Sequence, residues 1–307
     1  MSQPQKGICA EPNLHALFLM FNVNDGQEVC IRQLLPKILT IFDHYDEEHY
    51  EAMVSGVVAI GSNYWMELYP GHMPELLAPF PDFSERDRSA PVVPADLFIQ
   101  VRADRADICH AMGLDICELM LPVADLVEQV KGFRYLDGRD LTGFITTPDN
   151  PRGMKKFDVA IIGDEDPDFS GGCYMHVQRY QHQLTQWQQL SLERQQQIIG
   201  RYKDSGQALA DEQLLPDSHL SKTRVTDDNG IPLVLLDQSM PYGDMKVQGV
   251  YFVSCAKSPV TFTRMLRNRI LADKNGLYDR FLDYTTAETG AAFFAPSIQF
   301  IHQFAKQ

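Results

Sequence analysis

The segment LTGFITTPDNPRG, residues 141–153, contains two glycines, two prolines, an asparagine and an aspartate. That composition specifies a tight, fixed loop, and loops so constrained commonly hold up groups for chemistry. At its centre, however, stand Thr146 and Thr147, whose hydroxyls do not change protonation near neutral pH. The chain has nine histidines. His44 and His49, in DHYDEEHYE, are five residues apart and so not on one helix face. Set among carboxylates, they read as a solvated surface, not a metal site. His176 and His182 share one face of a strand by parity, which suits either a ligand or ordinary sheet packing. His219 follows the turn formers Asp217 and Ser218 in LLPDSHLSKTRV. A histidine presented this way reads as a metal ligand or as a surface-loop residue. His15, His72, His110 and His302 stand alone.

The elements that must position these groups alternate between strand and helix patterns. HALFLMFNV (15–23), MVSGVVAIG (53–61) and ADLFIQVRA (95–103) read as strands. Helical spacing runs over 26–45, with Pro36 as a kink or internal start, and partly over 106–120. The segment around 125–136 closes this half as a strand. The order β-α-β-β-α-β is that of a ferredoxin-like unit. A similar order follows. FDVAIIG (157–163), CYMHVQRYQHQ (173–183) and GVYFVSCA (249–256) read as strands. A helix capped by Ser191 opens at 191–203, and another runs over 258–271 with Ser258 as cap and Pro259 at its first position. The fold class is therefore α+β, with one half at 1–150 and the other at 151–307. The 141–153 loop lies at the junction, where sites often form.

Bulk properties exclude several classes. With 307 residues, 44% hydrophobic and 22% charged, the chain is long enough for two domains with sizeable cores. A net charge of −14 repels phosphates, so no nucleic-acid partner is expected. The densest basic run, RMLRNR at 264–269, reads as the solvated side of a helix. Six cysteines without a CxxC pair describe free thiols, not a disulfide framework. MSQPQKGICAEPN has no apolar run of signal-peptide length, and no segment approaches the roughly 18 apolar residues that span a bilayer. The expectation is a cytoplasmic protein with no membrane partner.

Taken in order, GFITTPDNP, GGCYMHVQRYQHQL, IIGRYK, DSHLSKTRV, DQSMPYG, GVYFVSCA and YDRFLDYTTAETGAAFFAPS resemble the dye-decolourising peroxidases, particularly their compact bacterial class. The resemblance covers most of 125–298. It implies two ferredoxin-like halves of the dimeric α+β-barrel type, with haem b (iron protoporphyrin IX) held in the C-terminal half. It places His219 as the iron ligand, Asp279 as the acid behind that imidazole, and Arg201 as a propionate partner. Asn150 and Phe252 complete the cofactor-binding set. A homo-oligomer is implied, and QFIHQFAKQ lacks an extended tail that would direct packaging in a shell.

Two departures from the family stand out. Its loop reads G-F-x-D-G-x-x-N-P; Gly143, Phe144, Asn150 and Pro151 match, but Thr146 replaces the aspartate and Thr147 the glycine. Asp237 stands where the family has an arginine, just ahead of the matching Gln238, Ser239, Pro241, Tyr242 and Gly243. Peroxide heterolysis needs a proton moved between the two oxygens and the leaving charge stabilised. Losing each device typically costs about 10²–10⁴-fold. The implied catalytic set is thus Asp237, Ser239 and Thr146, with Asp237 returning a carboxylate from the opposite wall, facing away, or binding the backbone of the displaced loop. Expected is a weakened peroxidase that uses hydrogen peroxide on small organic donors. The alternatives are a haem enzyme acting on an iron-bound nitrogen-containing substrate, and a non-catalytic haem carrier or sensor.

Overall fold

The computed structural model describes residues 2–306. The first half contains β1 (His15–Val23), α1 (Glu28–Glu48), β2 (Ser55–Gly61), a short α2 (Trp65–Leu68), the hairpin β3 (Ser84–Glu85) and β4 (Arg88–Ser89), β5 (Leu97–Ala103), α3 (Ala106–Met120) and β6 (Ala124–Phe133). The second contains α4 (Lys155–Ala160), β7 (Cys173–His182), α5 (Leu184–Gln188), α6 (Leu192–Ile199), α7 (His219–Thr223), β8 (Val225–Thr226), β9 (Pro232–Leu233), β10 (Leu236–Asp237), β11 (Met240–Gly243), β12 (Gln248–Ala256), α8 (Val260–Ile270), β13 (Thr285–Ala287), β14 (Ala291–Ala295) and α9 (Ile298–Phe304).

The major strands form one antiparallel sheet that closes on itself. Pairing runs β11–β6–β1–β5–β2–β14–β7–β12 and returns from β12 to β11. Closure removes the exposed edges that an open sheet would leave. Period-two alternation explains how β1 serves two cores at once. Ala16, Phe18 and Met20 point into the barrel, while Leu17, Leu19 and Phe21 pack beneath α1 and α3. Both faces are therefore apolar. Rings from the two halves meet inside: Phe18 stacks on Tyr251 at 4.3 Å, and Phe98 lies 5.4 Å from Phe293.

Two sequence expectations are corrected. Residues 157–163 do not form a strand, because α4 runs through Lys155–Ala160. A five-residue apolar stretch fits one and a half helical turns as well as a short strand. RMLRNR is not wholly solvated either. Arg264 and Arg267 are outward, but Arg269 is 5% exposed and lies on the buried face with Phe262, Met265, Leu266 and Ile270. Pro36 lies within α1, which continues on both sides of it.

Candidate active site

Between α7, α8 and the β7–β12 face lies a cavity partly open to solvent, with about 1090 Å³ of unfilled space when the solvent at its mouth is included. Its walls are mostly apolar, including Phe252, Met265, Leu235, Val250 and Phe281. Among the predicted residues, His219, Arg201, Thr146, Asp237, Ser239 and Phe252 line it. Asp279 and Asn150 lie behind those residues and hold them.

His219 is the first residue of α7. Ser218 caps this short helix by accepting a hydrogen bond from Ser221 N at 3.3 Å, so the helix starts at the imidazole. The ring Nδ1 lies 2.8 Å from Asp279 Oδ2. Asp279 is fully buried, and the same oxygen accepts from Arg269 Nε at 2.8 Å, while Oδ1 accepts from Phe281 N at 3.0 Å. Burial alone would raise the Asp279 pKa, but the His219 and Arg269 partners outweigh it and hold it down at about 2. The carboxylate is therefore ionised at neutral pH and accepts from Nδ1–H. That leaves Nε2 as the ring nitrogen open to the cavity. Phe281 meets the imidazole edge-on at 5.4 Å and restrains its tilt.

The opposite wall is built by β10 and the 141–153 loop. Asn150 joins them reciprocally: its Oδ1 accepts from Asp237 N at 2.9 Å and its Nδ2 donates to Asp237 O at 2.8 Å. The Asp237 carboxylate does not turn away. It lines the cavity, with Oδ1 accepting from Ser239 N at 2.7 Å and also from the Ser239 hydroxyl. Burial raises the Asp237 pKa, although the Ser239 hydrogen bonds and the nearby His219 oppose the rise. Thr146 donates both its backbone N–H (3.0 Å) and its hydroxyl (2.8 Å) to Gly138 O, so its proton is already committed. Thr147, in the family's glycine position, adopts φ +47°, a left-handed conformation that a β-branched residue takes only under strain.

Arg201 sits at the cavity rim, paired with Asp149 and donating from Nη1 to Gly206 O at 3.0 Å. A charged ligand group reaching Arg201 would meet Asp149 there. The sequence reading missed a second buried pair in the same cavity. His182 Nε2 lies 3.2 Å from Asp140 Oδ1, and its Nδ1 lies 2.9 Å from Thr285 Oγ1. Strand parity placed His182 on one face with His176, but parity does not say what covers that face. His176 is instead core: it stacks on Phe262 at 4.1 Å, and burial pushes its pKa down to about 3. Arg269 was also missed, although its spacing of seven from Phe262 places both on one helix face.

The site joins an antiparallel α+β barrel, a mostly apolar cavity and an imidazole backed by a buried carboxylate. The comparisons narrow the class. The family model described as Dyp-type peroxidase, N-terminal, matches residues 5–134, and that described as Dyp-type peroxidase, C-terminal, matches 137–300. The chain belongs to the Dyp-type peroxidase family. A dye-decolorizing peroxidase of Mycolicibacterium paratuberculosis is 36% identical over 97% of this chain and 85% of its own length. A variant of Rhodococcus jostii RHA1 DypB, solved in complex with heme, is 35% identical with a TM-score of 0.93, covering 97% of each chain. The encapsulated DyP-type peroxidase from Mycobacterium smegmatis is 35% identical with a TM-score of 0.94, covering 98% of each chain.

Proposed function

We propose that this chain is a haem b protein of the family whose peroxidase chemistry is weakened and rerouted through Asp237 and Ser239. The observation that supports it is that one cavity is lined both by His219, with Nε2 open to it, and by the Asp237 carboxylate, where the family has arginine. The residues fit the cofactor. His219 would ligate the iron, Phe252 and Phe281 would supply apolar surface, and Arg201 would meet a propionate by exchanging or sharing Asp149. Haem, when bound, supplies an iron centre that takes up hydrogen peroxide and oxidises a small organic donor.

The chain's own groups divide the remaining work. Asp279 fixes the imidazole orientation and makes it electron-rich. Both Ser239 donors converge on Asp237 Oδ1, so a proton arriving on this carboxyl would sit on Oδ2. With its pKa raised, Asp237 is a better donor and a poorer base than an ordinary carboxylate. Of the arginines lining this cavity among the described residues, Arg201 and Arg269 already bind Asp149 and Asp279, so neither is free to stabilise charge at that wall. The same observation favours a second reading, in which the cavity receives a neutral nitrogen-containing ligand.

Titrating the purified protein with haemin tests the proposal. A one-to-one Soret-absorbing complex that His219→Ala abolishes is the expected result. Unchanged uptake by that variant removes His219 from the role. We also propose a cytoplasmic homo-oligomer. No helix among the described residues is long and apolar enough to cross a membrane. Encapsulation is a property of the M. smegmatis neighbour and is not carried to this chain.

A further inference from the structure

Behind the Asp237 wall lies a second cavity with about 1620 Å³ of unfilled space, partly open to solvent. Thr146, Thr147, Asp237 and Ser239 line both cavities and form the partition between them. The chain as a whole carries 27 Lys and Arg against 41 Asp and Glu. This cavity reverses the balance. Arg102, Arg134, Arg139, Arg152 and Lys156 line it, against Glu11, Asp137 and Asp237.

Two of these cations are already neutralised: Arg139 pairs with Asp137 and Lys156 with Glu11, each at 2.7 Å. Among the described residues no carboxylate pairs with Arg102, Arg134 or Arg152. Arg102 is 4% exposed, and Nη2 donates to Gly7 O at 2.8 Å. A buried guanidinium without a counter-ion is costly, so one left at a cavity wall argues for an anion as its partner. Low-dielectric walls with an excess of positive charge also concentrate anions from solution. Tyr135, Pro12, Pro151, Met240 and Pro241 supply apolar surface beside the charges.

We propose that this second cavity binds a small aromatic carboxylate, with its anionic head among Arg102, Arg134 and Arg152 and its ring against Tyr135 and the prolines. The site does not need haem. It places an anion next to the partition that carries Asp237, so an occupant would favour the protonated form of that carboxylate.

Isothermal titration of benzoate into the purified protein, with and without haem loaded, tests this. One saturable site is expected in both forms. The double variant Arg134→Gln/Arg152→Gln should bind benzoate more weakly, on the order of ten-fold, at low ionic strength. Both side chains are exposed and unpaired, so the variant should keep the wild-type melting temperature. Benzyl alcohol, the neutral counterpart, should not bind. The proposal is overturned by absent saturation, by benzyl alcohol binding as tightly as benzoate, or by a double variant with unchanged affinity. Sulfate competing as tightly as benzoate would overturn the aromatic assignment. None of these outcomes alters the Soret titration, so the two proposals fail separately.

Discussion

Asp237 shows how one substitution can change the sign of a pH dependence. An ion-paired carboxylate such as Asp279 has its folded pKa depressed; its stabilisation is present above the unfolded value and lost as pH falls towards about 2. Asp237 behaves oppositely. Its folded pKa lies above the ordinary 3.8, so the native state holds the proton more tightly than the unfolded chain. Stability is greatest below the unfolded pKa and declines as pH rises through the window between the two values. A tenfold difference in proton affinity between the folded and unfolded chain corresponds to about 1.4 kcal/mol lost across that window. Asp237→Asn, which cannot ionise, should flatten the decline. Urea midpoints measured from pH 4 upward would check this, and parallel curves for the two proteins would show that Asp237 ionises freely in the fold. The sequence exposed the residue types here, because Thr146 and Asp237 stand where the family's motifs hold other groups. It did not show that the Thr146 hydroxyl is committed to Gly138 O, since that depends on the loop's own turn geometry.

At the scale of elements, the Asp237 wall of the cavity depends on a join between a loop and a very short strand. β10 has two residues and, among the described residues, pairs with β12 alone, at Leu236↔Cys255 and Asp237↔Ser254. The two Asn150 hydrogen bonds tie β10 to the 141–153 loop. Asn150→Ala removes both and leaves two enclosed backbone groups unsatisfied, at a cost of about 1–3 kcal/mol. Hydrogen exchange should then accelerate in 141–153 and 236–239 while β1 and β5 stay protected. Unchanged protection in those segments would mean that the loop's own turns, not the clamp, fix it. Apolar spacing made the long elements legible, including α1, α3, β1 and β7. Short ones were not: α4 and an edge strand have the same five-residue apolar signature, and only the packing of α4 near β10 and β12 decides between them. Arg269 was hidden for a related reason. A basic run suggests solvent, but one arginine in it faces inward to bridge Asp279 and Tyr180.

At the scale of the molecule, the two halves look separable in sequence and are not separable in the sheet. β6 pairs with β11 at Tyr242↔Gly132, and β2 pairs with β14 at Phe293↔Gly61 and Phe294↔Ile60. Internal similarity reveals two units, but pairing across them leaves no local signal, because the partners lie far apart along the chain. The same holds for the basic cavity, whose cations come from separate segments that the sequence never shows as a cluster. Cut after residue 134, the first half would be a four-stranded β6–β1–β5–β2 sheet with both edges unpaired. Phe18 and Phe98 would lose the Tyr251 and Phe293 rings that cover them. Exposed edges flanking an apolar face promote association. The fragment 1–134 should therefore aggregate or melt without a cooperative transition, whereas the full chain should unfold in one. Co-expression with 135–307 should restore soluble material by completing the ring. Size-exclusion chromatography and circular dichroism of the fragment decide the matter: a monomer with a sharp thermal transition would show that each half folds alone and that the barrel is assembled from finished parts.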